Sequence, residues 1–215
     1  MSAEETRLEL VVDVFDLAAQ RALALSTLTP PQLVDAVLAE FRELEFLGDN
    51  ADDYQLLKAT DRSPLDDGAT IGDQLGGGDR LILMERVAQP PAGTRPPSRL
   101  VYLREQGSGK VYPLHWQPAI IGRPDREQDH NDRVAVNLSN HPAGQRVSRR
   151  HAQIVESDGV FFVEPLSPNP TVVRDGQGTA LPAQTRQPLR HGDVVYLENS
   201  QIALKFIVRE GVTQS

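Results

Sequence analysis

Cysteine is absent from the 215-residue chain, and tryptophan occurs only once. The lack of cysteine excludes disulfides and thiolate metal sites and fits a reducing compartment, so we expect a cytoplasmic location. Long apolar runs are missing as well, since none approaches the roughly 20 residues that a membrane-spanning helix needs. The start of the chain, residues 1–7, is polar and acidic and shows no secretory signal. The sequence therefore predicts compact cores and no membrane span.

Charge is divided unevenly along the chain. Residues 1–87 carry 7 Lys and Arg against 18 Asp and Glu, a net charge of −11, whereas residues 88–215 carry 15 against 12, a net charge of +3. The acidic half would repel nucleic acid, and no basic stripe with interleaved aromatic residues occurs elsewhere. We therefore expect no nucleic-acid partner. The acidic half favours solubility, with a basic partner surface as the alternative interpretation.

A proline-rich segment separates the two halves. Residues 89–98 (QPPAGTRPPS) contain four prolines, which disfavour a helix or a central strand and favour extended polyproline II. We predict a first domain at residues 1–87, a semi-rigid linker at residues 88–98 and a second domain at residues 99–215. Thr94, within the linker, is expected to be exposed.

The first domain is predicted to be α+β, in the order strand, strand, helix, strand, strand. The helix is the clearest signal, because Thr29 can cap it, Pro30 suits its first position and Gln32 completes a capping box. Its apolar face runs on to Leu44, and we expect it to end near residues 48–50. The predicted strands span residues 8–14, 22–25, 54–59 and 80–84.

The segment between the last two of these strands, residues 65–73, together with Gly78-Asp79, resembles the ubiquitin-like β-grasp family over about residues 6–87. Within that family it looks most like the small ubiquitin-like domains of bacterial type VII secretion systems. The resemblance implies a docking surface for another protein. Conjugation would need a free C-terminal glycine carboxylate, whereas Gly76-Gly77-Gly78 precedes the last strand and predicts a tight turn.

The second domain is predicted to be an all-β sandwich. Short apolar stretches are separated by turn signals such as Ser157-Asp158-Gly159. This spacing favours two packed antiparallel sheets, whose loops at one end are natural binding sites. The predicted strands span residues 100–105, 110–114, 119–121, 152–155, 160–163, 171–173, 194–197 and 202–208.

Polar motifs occur where these strands run into loops, and their side chains suit a phosphate. A guanidinium offers a rigid fork of N–H groups, a serine adds a hydroxyl and an asparagine amide can hold a peptide backbone. The motifs are Gly122-Arg123, Ser148-Arg149-Arg150-His151-Ala152, Ser167-Pro168-Asn169-Pro170-Thr171 and His191-Gly192-Asp193. In this order they resemble the forkhead-associated (FHA) family of phosphothreonine-peptide readers, over roughly residues 99–209.

The FHA resemblance implies a role for each motif. The phosphate would contact Arg123, Ser148 and Arg149, and Asn169 would hold the main chain of the ligand. A hydroxyl would assist, either that of Thr171 or that of Ser167. His151 would brace the loop from inside the protein and take no catalytic part.

Two features depart from the pattern of the FHA family. Asn169 is followed by Pro170 where the family usually has glycine, and proline lacks an N–H and pushes the preceding residue toward an extended backbone. The local turn is therefore expected to differ. Residues 124–147 form a long, charged and polar segment that we expect to reshape the mouth of the site or to cover it.

These patterns predict a non-catalytic adaptor. Its partners would be a phosphothreonine-containing protein or peptide and proteins of a secretion system or a kinase pathway. The alternative is a structural assembly component whose FHA-like module does not read phosphate. The sequence shows no nucleophile beside its base, no nucleotide cradle and no metal-ligand spacing, so we expect no enzyme activity, no cofactor and no metal.

Overall fold

The computed structural model describes residues 6–87, 89–125, 131–177, 180–182 and 185–209. The chain divides into two compact units, Met1–Val87 and Ala88–Ser215. Most of the regular structure is β, arranged in three sheets. Within the described ranges, no helix has the length and apolar character needed to cross a membrane.

The first unit combines a mixed four-stranded sheet with one main helix. Its elements are β1 (Arg7–Val14), β2 (Leu17–Leu25), α1 (Pro30–Glu40), β3 (Tyr54–Lys58), the single turn α2 (Ile71–Gln74) and β4 (Arg80–Glu85). The strand order is β2-β1-β4-β3. The central pair, β1 and β4, is parallel, and the two outer pairs are antiparallel.

Helix α1 begins where the capping signals predict and ends earlier than predicted. The Thr29 N–H donates to Gln32 Oε1 over 2.9 Å, which satisfies one donor of the first turn. The helix ends at Glu40. Leu44, which we expected inside the helix, packs on the same core from a turn that the Leu47 N–H closes on the Leu44 carbonyl. The apolar pattern continues beyond the helix because the turns that follow it place side chains on the same face.

Alternate residues of β1 and β4 and one face of α1 form the core of the first unit. The three-glycine segment makes the predicted turn before β4, and Gly78 has a φ of +88°, a conformation that favours glycine. The buried core includes Leu10, Val12, Val14, Leu33, Val34, Leu56, Ile71, Leu81 and Leu83.

The second unit is a sandwich of two sheets around a single core. Its strands are β5 (Leu100–Glu105), β6 (Val111–Pro113), β7 (Ala119–Gly122), β8 (Val134–Asn137), β9 (Arg150–Ser157), β10 (Val160–Pro165), β11 (Thr171–Arg174), β12 (Ala180–Pro182), β13 (Gln187–Leu189), β14 (Val194–Leu197) and β15 (Ile202–Arg209). One sheet has the order β13-β10-β9-β7-β8, and the other has the order β12-β11-β14-β15-β5-β6. Buried residues of both sheets share one apolar cluster.

Strand β8 differs from the sequence prediction in two respects. It pairs in parallel with β7, so the sandwich is not wholly antiparallel as expected. It also arises inside residues 124–147, where we predicted no strand. The short alternation of Val134–Asn137 buries Val136 completely, which is enough to add an edge strand to the sheet. Residues 126–130 of the same segment lie outside the described part of the chain.

The proline-rich segment is attached to the second unit by a strap, which we define as residues 94–98. The Arg95 and Gln117 backbones exchange two hydrogen bonds, of 3.0 and 2.8 Å. The Arg95 guanidinium donates to the Glu156 carbonyl over 3.0 Å, and the Ser98 N–H donates to the buried Glu156 carboxylate over 2.8 Å. The strap is therefore hydrogen-bonded to the sandwich, and the role of residues 88–98 as a semi-rigid linker stays a prediction.

Thr94 is half-buried, so its predicted exposure is wrong. Its Oγ1 donates to the Pro91 carbonyl over 2.6 Å. Proline removes backbone donors but leaves carbonyl acceptors, and here one of those acceptors binds the threonine hydroxyl.

Candidate functional site

Three of the predicted side chains meet at one end of the sandwich, and we call them the polar cluster: Ser148, Ser167 and Asn169. Ser148 Oγ accepts a hydrogen bond from Asn169 Nδ2 over 2.7 Å and donates to Ser167 Oγ over 3.0 Å. Ser167 Oγ also accepts from the Asn169 N–H over 3.3 Å. The cluster joins the loop before β9 to the loop between β10 and β11, which are far apart in sequence.

The loop that carries Ser148 is held close to the sandwich by a glycine. A 3₁₀ turn at Gly144–Arg146 precedes the buried Val147. A Cβ on Gly144 would lie 2.1 Å from the Leu138 carbonyl oxygen, so only glycine allows this approach. The glycine thus lets the loop lie against residue 138 and fixes where Ser148 emerges.

Arg123 follows β7 and reaches toward the same loop. Its Nε donates to the Val147 carbonyl over 2.8 Å and its Nη1 donates to Gln145 Oε1 over 3.1 Å. A guanidinium has five N–H donors, so three are left without a partner among the described residues. Arg123 is half-buried. Among the described residues, the protein therefore orients the guanidinium with two bonds and leaves three of its donors unpaired.

Gly122 brings the two backbones of the site together. The Arg123 N–H donates to the Arg149 carbonyl over 3.0 Å, where the pairing of β7 with β9 is irregular. A Cβ on Gly122 would lie 2.1 Å from that same carbonyl oxygen. Glycine is thus required before Arg123, because a side chain at position 122 would keep the chain that carries Arg123 away from the chain that carries Ser148.

Arg149 is placed at the site but is already paired. Its Nη1 lies 2.9 Å from Asp125 Oδ2, and the exposed fractions of the two side chains are 55% and 10%. No sequence motif predicts this pair, because Asp125 lies in the polar segment after β7 and is distant from residue 149 along the chain. The carboxylate compensates part of the positive charge that we expected at this position.

Asn169 is engaged at both ends of its amide. Nδ2 donates to Ser148, and Oδ1 accepts from Asn199 Nδ2 over 3.1 Å. Asn199 lies after β14, and no sequence motif pointed to it. Asn169, which precedes proline where the FHA family usually has glycine, therefore holds two other loops of the protein together.

Two other motif residues are buried. Thr171 starts β11 and is 2% exposed, and among the described residues its Oγ1 has no hydrogen-bond partner. It therefore makes no hydrogen bond to the polar cluster, although it lines a pocket together with Ser167 and Asn169. His151 is fully buried, and its Nδ1 accepts from the Ser148 N–H over 3.5 Å. Burial lowers the pKa of His151, which keeps the imidazole neutral behind the loop.

The groups at the site are hydrogen-bond donors more than metal ligands. Across the residues that the structure describes, no three His, Asp or Glu side chains are grouped in a way that could hold a metal ion. The available groups are hydroxyls, an amide and guanidinium N–H donors, which bind anions.

Several solved structures are similar to part of the chain. The FhaA FHA domain, complexed with the intracellular domain of Rv3910, is 31% identical, with 51% of this chain and 99% of that chain covered and a TM-score of 0.34. The FHA domain of human APLF, in complex with an XRCC1 bisphospho peptide, is 22% identical, with 50% and 97% covered and a TM-score of 0.38. Caldiarchaeum subterraneum ubiquitin is 15% identical, with 40% and 100% covered and a TM-score of 0.31.

The family match agrees with the order of the polar motifs. No curated protein matches the chain. The family model described as FHA domain matches residues 119–198, a range that contains Arg123 and the polar cluster. Residues 119–198 therefore form an FHA domain.

Proposed function

We propose that the protein is a non-catalytic adaptor, which binds phosphothreonine peptides through its FHA domain and docks another protein through its first unit. The observation that carries the proposal is the convergence of Ser148, Ser167 and Asn169, from two loops, beside an Arg123 guanidinium that keeps three N–H groups unpaired among the described residues.

The donors at this site match the chemistry of a phosphate ester. A phosphothreonine carries about −1.5 to −2 charges near neutral pH and three strong acceptor oxygens. The three free N–H groups of Arg123 and the hydroxyl of Ser148 would donate to it, and Arg149 would join after exchanging Asp125 for the more highly charged ligand. Hydrogen bonds to charged groups contribute about 1.5–3 kcal/mol each, so three would supply much of a micromolar affinity of about −8 kcal/mol.

Asn169 would hold the ligand main chain in exchange for one of its internal bonds. Its amide bonds to Ser148 and to Asn199, so a peptide carbonyl or N–H would replace one of these partners. Once the Ser148 hydroxyl donates to the phosphate, Ser167 would support it by donating its own hydroxyl proton to Ser148 Oγ, in place of the bond that Ser167 accepts in the free protein. Thr171 has no contact role in this proposal, because its side chain is buried.

The first unit would act as a ubiquitin-like β-grasp docking domain over residues 1–87, joined by residues 88–98 to the FHA region at 99–215. A helix on a mixed four-stranded sheet supports this assignment. Its net charge of −11 suits a partner with a basic surface, which we propose is a protein of a secretion system or a kinase pathway. Leu23, on the edge strand β2, is 60% exposed and offers an apolar contact.

The central experiment is a titration of the full chain with one threonine peptide, with and without the phosphate. We expect the phosphate to strengthen binding at least tenfold, about 1.4 kcal/mol. Ser148→Ala should remove most of the difference. The matched control is Ser157→Ala, because Ser157 lies at the other end of β9. Equal binding of the two peptides, or no binding across a diverse phosphothreonine library, would contradict phosphate reading.

The second candidate function is that of a structural assembly component whose FHA domain does not read phosphate. It is favoured by the internal pairing of the site, where Arg149 is bound to Asp125 and the polar cluster is bound to itself. Under this alternative the cluster serves only to tie loops together. Ser148→Ala would then lower the melting temperature while leaving every peptide affinity unchanged.

A further inference from the structure

A pocket of about 380 Å³ adjoins the polar cluster on the β11 side. Ser167 and Asn169 line it, so it opens directly beside the proposed phosphate position. Most of the remaining wall consists of proline rings, which are apolar and have fixed shapes. These prolines are Pro165, Pro168, Pro170 and Pro182.

Glu198 is the charged residue of this pocket. It is exposed, and among the described residues its carboxylate makes no ion pair. Its backbone N–H donates to the Pro170 carbonyl over 3.2 Å, which fixes the residue against the loop that carries Asn169. Asp125, near the phosphate position, differs in that it is paired with Arg149. Among the described residues, the FHA domain thus presents an unpaired carboxylate in the lining of a proline-rich pocket.

We propose that this pocket takes the side chain of a lysine or arginine from the same phosphopeptide. The inference rests on the proposed function. The methylene stem of such a side chain would pack on the proline rings while its charged end meets Glu198. A shorter or purely apolar side chain would pack against the prolines but leave the Glu198 carboxylate without a partner.

The position of the pocket limits where the basic residue lies in the peptide. Ser167 and Asn169 belong both to the polar cluster and to the pocket wall. An extended peptide advances about 3.3 Å per residue, so the basic residue would lie within about four residues of the phosphothreonine. The preferred ligand is then a peptide with a phosphate and a nearby cation, and a run of acidic residues around the phosphothreonine would be disfavoured.

The test uses the full chain and a set of phosphothreonine peptides with alanine flanks, in which one lysine is moved through each flanking position. We expect one position to strengthen binding about three- to tenfold, which is the range of a half-exposed ion pair. Glutamate at that position should weaken binding. Glu198→Gln should abolish the preference and Glu198→Lys should reverse it toward glutamate. Phosphate-dependent binding of the all-alanine peptide should persist in both variants.

The control variant is Asp158→Asn. It removes one negative charge from the same unit in the turn at the far end of β9, where asparagine also tolerates the φ of 52°. It should keep the lysine preference unchanged. A preference that is absent in the wild type, or that survives Glu198→Gln, would overturn the pocket assignment while the phosphate effect upholds the proposed function. Loss of the phosphate effect in the wild type would overturn both.

Discussion

Replacement of Arg123 by alanine tests the electrostatic basis of phosphate binding. The guanidinium is positioned by two bonds, to the Val147 carbonyl and to Gln145, and three N–H groups remain for a ligand. The variant removes the charge and all of these donors but leaves the Arg123 backbone bond to Arg149 in place. We therefore expect loss of phosphopeptide affinity with the fold retained.

The magnitude follows from the number of bonds and the exposure of the site. If two of the free N–H groups reach the phosphate, the bonds would contribute about 1.5–3 kcal/mol each in a shielded site. Arg123 is half-buried, so solvent screening reduces this contribution. A loss of about 2 kcal/mol, or roughly 30-fold in affinity, is the expected result. Arg123→Lys should recover only part of it, because an ammonium keeps the charge without the fork.

The assay is fluorescence anisotropy with a labelled phosphothreonine peptide, together with thermal unfolding of each variant. Arg146→Ala is the matched control, because Arg146 is exposed, belongs to the turn beside Ser148 and makes no ion pair among the described residues. It should change affinity less than about twofold at physiological salt, since exposed charges are screened. An Arg123→Ala variant that binds as the wild type does, or an equal loss in both variants, would refute the reasoning.

Three further predictions concern the surroundings of the site. Asp125→Asn should raise phosphopeptide affinity about two- to fivefold, because it frees Arg149 and removes a negative charge near the ligand; weaker binding would mean that the carboxylate positions the arginine. Because burial lowers the pKa of His151, the unfolded chain takes up the proton first, and stability should fall as pH drops below about 6.5. Urea unfolding of the wild type and of His151→Asn measures the free energy of unfolding at each pH. We expect it to fall with pH over this range only in the wild type, and the same pH dependence in both proteins would contradict the prediction. Ser98→Ala removes a hydroxyl donor to the Glu156 carboxylate and should lower the free energy of unfolding by about 1–2 kcal/mol, whereas an unchanged denaturation midpoint would show that this hydrogen bond adds no stability.

The motifs of the FHA domain were predictable because each carries a local requirement. Gly122 is forced by the close approach of a neighbouring carbonyl, and Arg123 is the residue that this approach positions. Ser148 and Asn169 were both predicted as ligand contacts from their motifs, and the structure brings them within hydrogen-bonding distance of each other. Their ligand contacts stay predictions.

The features that the sequence analysis missed depend on partners distant in the chain. The strap is held by Glu156, which lies 58 residues after Ser98, so no local pattern marks it. Arg149 has its charge compensated by Asp125 from another loop. Thr171 was assigned to the site from its motif, whereas its side chain is buried at the start of β11. Sequence spacing identifies candidate donors, but burial and ion pairing decide which of them are available.

The internal bonding of Ser148, Ser167 and Asn169 has a consequence for discrimination. In the free protein these groups satisfy one another, so a threonine hydroxyl that entered would exchange one neutral hydrogen bond for another with almost no net gain. A doubly charged ester gains from the same exchange, because its bonds are charge-assisted and about twice as strong. The polar cluster would thus reject the unmodified peptide before any steric criterion applies, and a kinase acting on the partner would behave as an on-switch with little background binding.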